Sequence, residues 1–296
     1  MRNDRLFGVG VALVTPFKED GAVDYAALTQ LLEHIIAGGV HYIVVSGTTG
    51  EPSTMTASEK AELRAFIIKQ VSGRVPLVLG IGGNNTAAVI DEILSADLNG
   101  FDSILSISPY YTKPNQRGIY AHFAEIAKAS PLPIVLYNVP GRTSRNIEPA
   151  TIVSLANDFK NIVAVKEASG SMSQIMSIID NKPADFMVIS GDDSLTVPLM
   201  SVGVSGVISV AANVAPKQCV QMVNAAAKGD FKEASRLHYQ LLDLMGALFE
   251  DGSPAGAKAA LKMLGIINSE TLRLPLVPVC DATREHIRVA VGKIEN

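Results

Sequence analysis

Eight short apolar runs recur along the chain, and segments with helical periodicity separate them. The runs are rich in β-branched residues and lack the apolar–polar alternation of a sheet with one wet face, which indicates strands covered on both faces. Parallel strands need crossover connections, and closing the sheet removes both of its unpaired edges. The sequence therefore predicts an α/β fold, a (β/α)8 TIM barrel. The predicted strands are Val9–Val14, Tyr42–Val45, Leu77–Ile81, Ser103–Ile107, Ile134–Tyr137, Ile162–Val165, Met187–Ile189 and Gly206–Val210.

Helix signals fall between these runs. Asp24 can cap a first helix, Thr56 and Glu59 have the spacing of a capping box, and Pro149 suits the first turn of another helix. The segment after the eighth run shows helical patterning. We therefore expect a barrel over residues 1–228 and an all-α extension over residues 229–296. An open doubly wound sheet is the structural alternative.

The charge balance excludes some classes of function. The 296 residues include 25 Lys and Arg against 29 Asp and Glu, a formal net charge of −4, and no basic cluster that would favour nucleic acid. Hydrophobic residues make up 48% and charged residues 18%, which excludes a disordered chain. The uncharged run Ser194–Pro216 is long enough to span a bilayer, but Pro198 and Gly203 interrupt it. It predicts a buried helix followed by a buried strand, and no membrane partner.

Cysteine content and the N-terminal segment bear on the compartment. Cys219 and Cys280 form neither a disulfide framework nor a paired metal-ligand spacing, as expected for a reducing compartment. The apolar stretch Leu6–Phe17 has some features of a signal peptide. However, Asp4 lies among the basic residues before it, and charged residues follow where a small-residue cleavage site belongs. We expect a cytoplasmic protein.

Lys166 is the first candidate for chemistry. Active sites of such barrels lie at the carboxyl ends of the strands, and Lys166 follows the sixth apolar run. Desolvation favours the neutral amine of a lysine, which can attack a carbonyl and form a Schiff base. Taken alone, a lysine at a strand end more often extends its ammonium to water. The neighbouring motifs have to decide between these interpretations.

Two further motifs follow other strands. Tyr137, at the end of the fifth run, is expected one strand away from Lys166 and can transfer protons, and Arg142 offers a planar guanidinium for a carboxylate. After the second run, Thr48 and Thr49 lie between two glycines, in a turn that could form an anion-binding nest of backbone N–H groups. Each of these residues has a purely structural alternative, as packing, solvated or turn residues.

The remaining signals are weaker. Tyr110 and Tyr111 follow the fourth run, where one hydroxyl could point inward and the other toward a partner surface. The glycine-rich segments lack the final small residue of a dinucleotide fingerprint, and the histidines show no metal spacing, so we expect no nicotinamide cofactor and no metal. Glu51 and Glu167 are expected to orient backbone rather than to act as acids.

Three motifs together, Gly47–Glu51, Tyr137–Thr143 and Val165–Glu167, resemble the dihydrodipicolinate synthase family, within the N-acetylneuraminate lyase superfamily of Schiff-base aldolases. The motifs occur in the family's order, and the resemblance spans nearly the whole chain. It implies a barrel with a C-terminal helical domain, assembled as a homotetramer, a dimer of tight dimers. The implied reaction condenses pyruvate with L-aspartate 4-semialdehyde on the route to diaminopimelate and lysine, without any cofactor.

The resemblance also assigns roles to individual residues. Lys166 matches the Schiff-base lysine. Three residues match the proton relay, in which the second tyrosine comes from a neighbouring subunit: Tyr137, Thr48 and Tyr111. Four residues match substrate-binding positions: Thr49 for the carboxylate of pyruvate, Arg142 for that of the semialdehyde, and Gly191 and Ile208 for backbone lining the site.

The sequence departs from lysine-inhibited relatives of this family. Those relatives bind lysine at the tight-dimer interface through histidines after the Gly-Thr-Thr-Gly-Glu motif and a glutamate in the next unit. The aligned positions are Ala57, Lys60 and Ala88, although Asn84 and Tyr110 remain. A cationic Lys60 and a missing carboxylate disfavour a ligand amine, so we expect weak or absent lysine feedback.

Two rival functions remain open at this point. Another aldolase of the superfamily, cleaving N-acetylneuraminate or a 2-keto-3-deoxy sugar acid, would share Lys166 and Tyr137. A barrel that binds a keto acid without turnover would need neither of them intact. Arg142 and Tyr111 favour the smaller, carboxylate-bearing aldehyde of the first interpretation.

Overall fold

The computed structural model describes residues 4–294, which form a closed parallel barrel of eight strands in sequence order. β1 pairs with β8 as well as with β2, with Gly8 opposite Gly206. This closure confirms the predicted barrel and excludes the open doubly wound sheet. The strands are β1 Gly8–Ala12, β2 Tyr42–Val45, β3 Leu77–Gly80, β4 Ser103–Ile107, β5 Ile134–Asn138, β6 Ile162–Glu167, β7 Met187–Ser190 and β8 Gly206–Ser209.

Helices follow the strands and cover the outside of the barrel. The long uncharged run contains the short helix α8 and then β8, as predicted. The helices are α1 Tyr25–Ala37, α2 Ala57–Val71, α3 Thr86–Ser95, α4 Gln116–Ala129, α5 Pro140–Thr143, α6 Pro149–Asp158, α7 Met172–Asn181, α8 Thr196–Met200, α9 Pro216–Ala227, α10 Phe231–Ala247, α11 Ala255–Met263 and α12 Asp281–Ile294.

The predicted caps determine where several helices begin. The Asp24 carboxylate accepts a hydrogen bond from the Ala27 N–H at 3.0 Å. Thr56 and Glu59 form a reciprocal capping box at the start of α2, and α6 begins at Pro149. These bonds satisfy N–H groups that have no partner inside the helix. Local sequence therefore fixes the places where these elements start.

The extension α10–α12 is helical, as predicted, and α10 packs against α9 and α12. Most strand residues are buried, so the apolar core continues from the barrel interior into the layer between strands and helices. The division between residues 228 and 229 stays a prediction. Within residues 4–294, every helix is too short or too polar to cross a lipid bilayer.

Candidate active site

A cavity of about 820 Å³ opens where the strands end at their carboxyl termini. Residues directly after β2, β5, β6, β7 and β8 line it, together with side chains of α10. Six of the eight site residues predicted from the sequence lie in its wall: Thr48, Thr49, Tyr137, Arg142, Lys166 and Gly191. The fold therefore brings three separate motifs to one cavity.

Lys166 and Tyr137 are direct neighbours on adjacent strands. β5 and β6 pair in a register that places Tyr137 opposite Lys166. Lys166 is only 6% exposed, and its Nζ lies 4.4 Å from the centre of the Tyr137 ring. The alternative in which Lys166 extends its ammonium to bulk water is therefore wrong, because the amine stays in the cavity beside the Tyr137 ring.

Gly191 leaves space for the lysine. A Cβ at this position would lie 2.7 Å from the Cβ of Ala168 and 3.0 Å from the Cε of Lys166. The Gly191 N–H donates to the Glu167 carbonyl at 2.7 Å, which ties the end of β7 to β6. Any larger residue would push against the side chain that has to react.

The turn carrying Thr48 and Thr49 is held by several contacts. Thr48–Gly50 form one turn of 3-10 helix, in which Thr49 is buried and Thr48 exposed. The Gly50 N–H donates to the Gly47 carbonyl at 2.9 Å, and the Thr15 hydroxyl donates to the Gly50 carbonyl at 2.8 Å. The two threonines thus leave β2 on a defined backbone path toward the cavity. Anion binding by this turn stays a prediction.

The close approach of the chain after β2 also requires a glycine at position 80. A Cβ there would lie 2.3 Å from the Ser46 carbonyl oxygen. Ser46 itself has a left-handed backbone with φ of 57°, which few residues other than glycine adopt. The chain is therefore bent sharply between β2 and the threonines.

Arg142 lies on the short helix α5, directly after β5. Pro140 occupies the first turn of this helix, and Ser144, with φ of 55°, ends it. Arg142 is exposed and lines the cavity. Its position suits the recognition of an incoming carboxylate.

The Glu167 carboxylate joins the loops after β5 and β6. It is 1% exposed and accepts hydrogen bonds from the Asn138 amide at 2.9 Å, the Gln174 amide at 2.9 Å and the Ser169 N–H at 2.7 Å. The Asn138 amide oxygen in turn accepts from the Ile147 N–H at 2.9 Å. Glu167 therefore orients backbone, as expected from the sequence.

Two predicted site residues lie outside this cavity. Ile208 is buried in β8 and does not line it, whereas Val210, two residues later, does. Tyr111 is 86% exposed and has a left-handed backbone with φ of 69°. Within one chain, the Tyr111 side chain does not join Tyr137 and Thr48.

A second cavity of about 510 Å³ lies behind the first. Five residues line both cavities and form the wall between them: Gly47, Thr48, Leu105, Tyr137 and Arg142. The second cavity also contains Lys60, Arg64 and Glu92. Glu92 binds Arg64 at 2.6 Å and Lys60 at 3.4 Å, so a carboxylate is present one turn beyond Ala88, with two cations on it.

Sequence reasoning missed the contribution of the C-terminal extension. Leu242, Met245 and Phe249 line the cavity, but their helical spacing resembles that of any packed helix.

Asp193 also lines the cavity and accepts hydrogen bonds from the N–H groups of Val210 and Ala211, and burial raises the pKa of its carboxyl group. Among residues 4–294, no group of three or more His, Cys, Asp or Glu side chains could hold a metal ion.

Comparison with known proteins adds direct relatives to this geometry. A 4-hydroxy-tetrahydrodipicolinate synthase of Parabacteroides distasonis is 50% identical over 294 residues, which is 99% of each chain. A dihydrodipicolinate synthase from Cyanidioschyzon merolae, solved with lysine bound, superposes with a TM-score of 0.94 and 40% identity, covering 98% of this chain and 99% of that one. A chloride-inhibited dihydrodipicolinate synthase from Acinetobacter baumannii, complexed with pyruvate, gives a TM-score of 0.94 and 38% identity, with the same coverage.

A family model agrees with these similarities over almost the entire sequence. The model of the dihydrodipicolinate synthetase family matches residues 5–294, which include all three motifs. Similarity of sequence and similarity of fold thus both extend over nearly the whole chain. The chain belongs to the dihydrodipicolinate synthetase family.

Proposed function

We propose that the chain catalyses the condensation of pyruvate with L-aspartate 4-semialdehyde to 4-hydroxy-tetrahydrodipicolinate, a step toward diaminopimelate and lysine. The observation that carries this proposal is the buried Lys166 amine, 4.4 Å from the centre of the Tyr137 ring, in a cavity that also contains Arg142. The relative from Parabacteroides distasonis bears the name of this activity, and the Acinetobacter baumannii structure contains pyruvate. Both support this function over the sugar-acid lyase and the non-catalytic barrel.

The first step forms an imine. The neutral Lys166 amine attacks the keto carbon of pyruvate, and the resulting carbinolamine loses water to leave an iminium ion. In this proposal Tyr137 donates a proton to the departing hydroxyl and accepts one from the nitrogen. No external cofactor is needed, because the iminium nitrogen accepts the electron pair in the next step.

Carbon–carbon bond formation follows from the iminium ion. Loss of a proton from the methyl group gives an enamine, whose terminal carbon attacks the aldehyde carbon of the semialdehyde. The aldehyde oxygen takes up a proton. The amine of the former semialdehyde then attacks the imine carbon, displaces the Lys166 nitrogen and closes the six-membered ring. Positioning two small acids in attack geometry is the main task of the cavity.

The proposed proton path runs from Tyr137 through Thr48 to Tyr111. Tyr137 and Thr48 line the same cavity, whereas Tyr111 extends away from its own chain. Tyr111 would therefore reach the site of a second copy, within a homotetramer built as a dimer of tight dimers. A phenol that completes a neighbour's relay makes assembly a condition of full activity.

The proposed substrate contacts divide between the two acids. Thr49 holds the carboxylate of pyruvate, and Arg142 receives the carboxylate of the semialdehyde. Gly191 and Ile208 contribute backbone to the site. The two cysteines support a reducing cytoplasmic location, because Cys219 and Cys280 are both free.

Borohydride trapping tests the central claim. Incubation with pyruvate and borohydride should add the mass of one reduced pyruvate imine, mapped to Lys166. Lys166→Ala should abolish the adduct and lower turnover by at least about 10⁴-fold, as removal of a nucleophile does elsewhere. Lys128→Ala is the matched control, since that lysine is exposed and pairs with Glu125 on the same helix.

Turnover then identifies the second substrate. An assay coupled to the reductase that consumes the product should show activity with L-aspartate 4-semialdehyde. An enzyme that forms the adduct but cleaves only sugar acids would be a lyase of the rival kind. A protein without any adduct would be a binding barrel.

A further inference from the structure

A fully buried ion pair joins the C-terminal extension to the turn that carries the active-site threonines. Lys258, on α11, has no solvent-exposed surface, and its Nζ lies 2.5 Å from an oxygen of Glu51. The same ammonium donates to the Thr271 carbonyl at 2.9 Å. Burying an ammonium is costly unless it is paired and hydrogen-bonded, so this pair is a specific arrangement.

Glu51 is the residue that closes the threonine turn. Its backbone is left-handed, with φ of 58°, and its N–H donates to the Thr48 carbonyl at 3.2 Å. The second oxygen of its carboxylate accepts a hydrogen bond from the backbone N–H of Arg273 at 3.2 Å. Both carboxylate oxygens are thus bound by the C-terminal extension. The end of the turn is anchored 207 residues away along the sequence.

The surroundings balance the charges of this pair. Phe17 is fully buried, with the Lys258 Nζ 4.2 Å and the Arg273 guanidinium 4.5 Å from the centre of its ring. Arg273 also binds Glu59, at the start of α2. Two cations therefore face two carboxylates, Glu51 and Glu59. Burial lowers the pKa of Lys258 to about 8, against the opposite effect of Glu51.

We propose that Lys258 and Glu51 are positioning residues, whose ion pair holds Thr48 and Thr49 in the geometry that the reaction needs. This inference rests on the proposed function for its effect on catalysis. Neither residue lines the cavity, and both act through the turn. The C-terminal extension would then be part of the active-site scaffold rather than only its roof.

Lys258→Met tests this role, because methionine fills the buried space without the charge. We expect kcat/KM for pyruvate to fall about 10²-fold, the effect of a small misplacement of reacting groups. Rates are measured at about pH 7, where Lys258 is protonated, and are expressed per Lys166 that borohydride can trap. Lys262→Met, on the same helix, removes a half-exposed ion pair to Glu270 and should change kcat/KM by less than about twofold.

The separate changes in kcat and in KM for pyruvate distinguish a positioning role from a simple loss of folded protein. Positioning predicts a raised KM for pyruvate and a lowered kcat per trappable site. Fewer trappable sites with unchanged kcat and KM per site would contradict it. If Lys258→Met does not fold, Glu51→Gln provides the same measurements, because its amide keeps the shape and an acceptor for Lys258.

Hydrogen exchange provides a readout that does not depend on the reaction. Backbone N–H groups over residues 46–55 should exchange faster in Lys258→Met than in the wild type or in Lys262→Met. Unchanged exchange there would overturn the positioning role, whatever the activity. A wild-type protein that forms no pyruvate adduct would contradict only the proposed function, since exchange still decides this inference.

Discussion

Gly191 shows how one missing side chain shapes the chemistry of its neighbour. A Cβ on Gly191 would lie 2.7 Å from the Ala168 Cβ and press on the Lys166 side chain. Lys166 and Tyr137 could be identified from the sequence, because each ends an apolar strand of a parallel barrel. The need for glycine at position 191 was available only from the family resemblance, since the crowding depends on atoms of β6.

Replacing Gly191 with alanine should therefore slow imine formation. The added Cβ would lie 2.7 Å from the Ala168 Cβ and 3.0 Å from the Lys166 Cε, so the chain at Ala168 has to shift and the lysine beside it is crowded. Overpacking of this kind typically costs about 1–3 kcal/mol, and a cost of that size in the transition state lowers kcat/KM by about 5- to 150-fold. The rate of borohydride-trapped adduct formation measures the effect. Gly292→Ala, with open space around its Cα, should keep the wild-type rate.

Elements begin and end where local signals place them, but the contacts between elements depend on the fold. The capping box at Thr56 and the proline at the start of α6 were evident from sequence spacing. In contrast, α5 is a four-residue helix that no periodicity could reveal. His122, on α4, joins two helices, because its Nδ1 lies 2.9 Å from the Thr86 hydroxyl at the start of α3.

His122 should make the α3–α4 contact sensitive to acid. Burial lowers its pKa from 6.5 to about 4, so the unfolded chain takes up the proton first as the pH falls. The contribution to stability is complete above pH 6.5 and is lost as the pH falls toward 4. At about pH 5 the loss amounts to about 2 kcal/mol. Urea unfolding of His122→Gln at about pH 5 and pH 7.5 should show a smaller difference than the wild type.

His286 provides a control of opposite sign. Hydrogen bonds with Asp243 and Glu250 raise its pKa, so its contribution to stability is present at low pH and is lost as the pH rises through that pKa. His286→Gln should therefore increase the stability difference between the two pH values. Equal protein concentrations are needed, because assembly contributes to stability. An unaltered difference for His122→Gln would contradict the assignment to His122.

At the scale of the whole molecule, closure of the barrel brings together residues that no sequence pattern connects. Lys258 lies in an alanine-rich helix and Glu51 in a turn, and only the packing of α11 beside this turn pairs them. The presence of an extension could be predicted from helical periodicity. The contact between this extension and the active-site turn could not be predicted, because it depends on one buried charge in an otherwise ordinary helix.

The second cavity predicts the response to lysine. The Cyanidioschyzon merolae relative binds lysine, but the carboxylate of Glu92 here is already paired with Lys60 and Arg64. A ligand ammonium would therefore meet a cation as well as a neutralised carboxylate. Millimolar lysine should leave turnover almost unchanged in a steady-state assay. Lys60→Met should increase whatever inhibition exists, and strong inhibition of the wild type would show the prediction to be wrong.

The wall shared by the two cavities makes residues of the candidate active site accessible from a second side. Thr48, Tyr137 and Arg142 also line the second cavity, whereas Lys166 lines only the first. A small molecule bound in the second cavity would disturb the proposed proton path without occupying the space beside Lys166. Its inhibition would therefore not weaken as the pyruvate concentration rises.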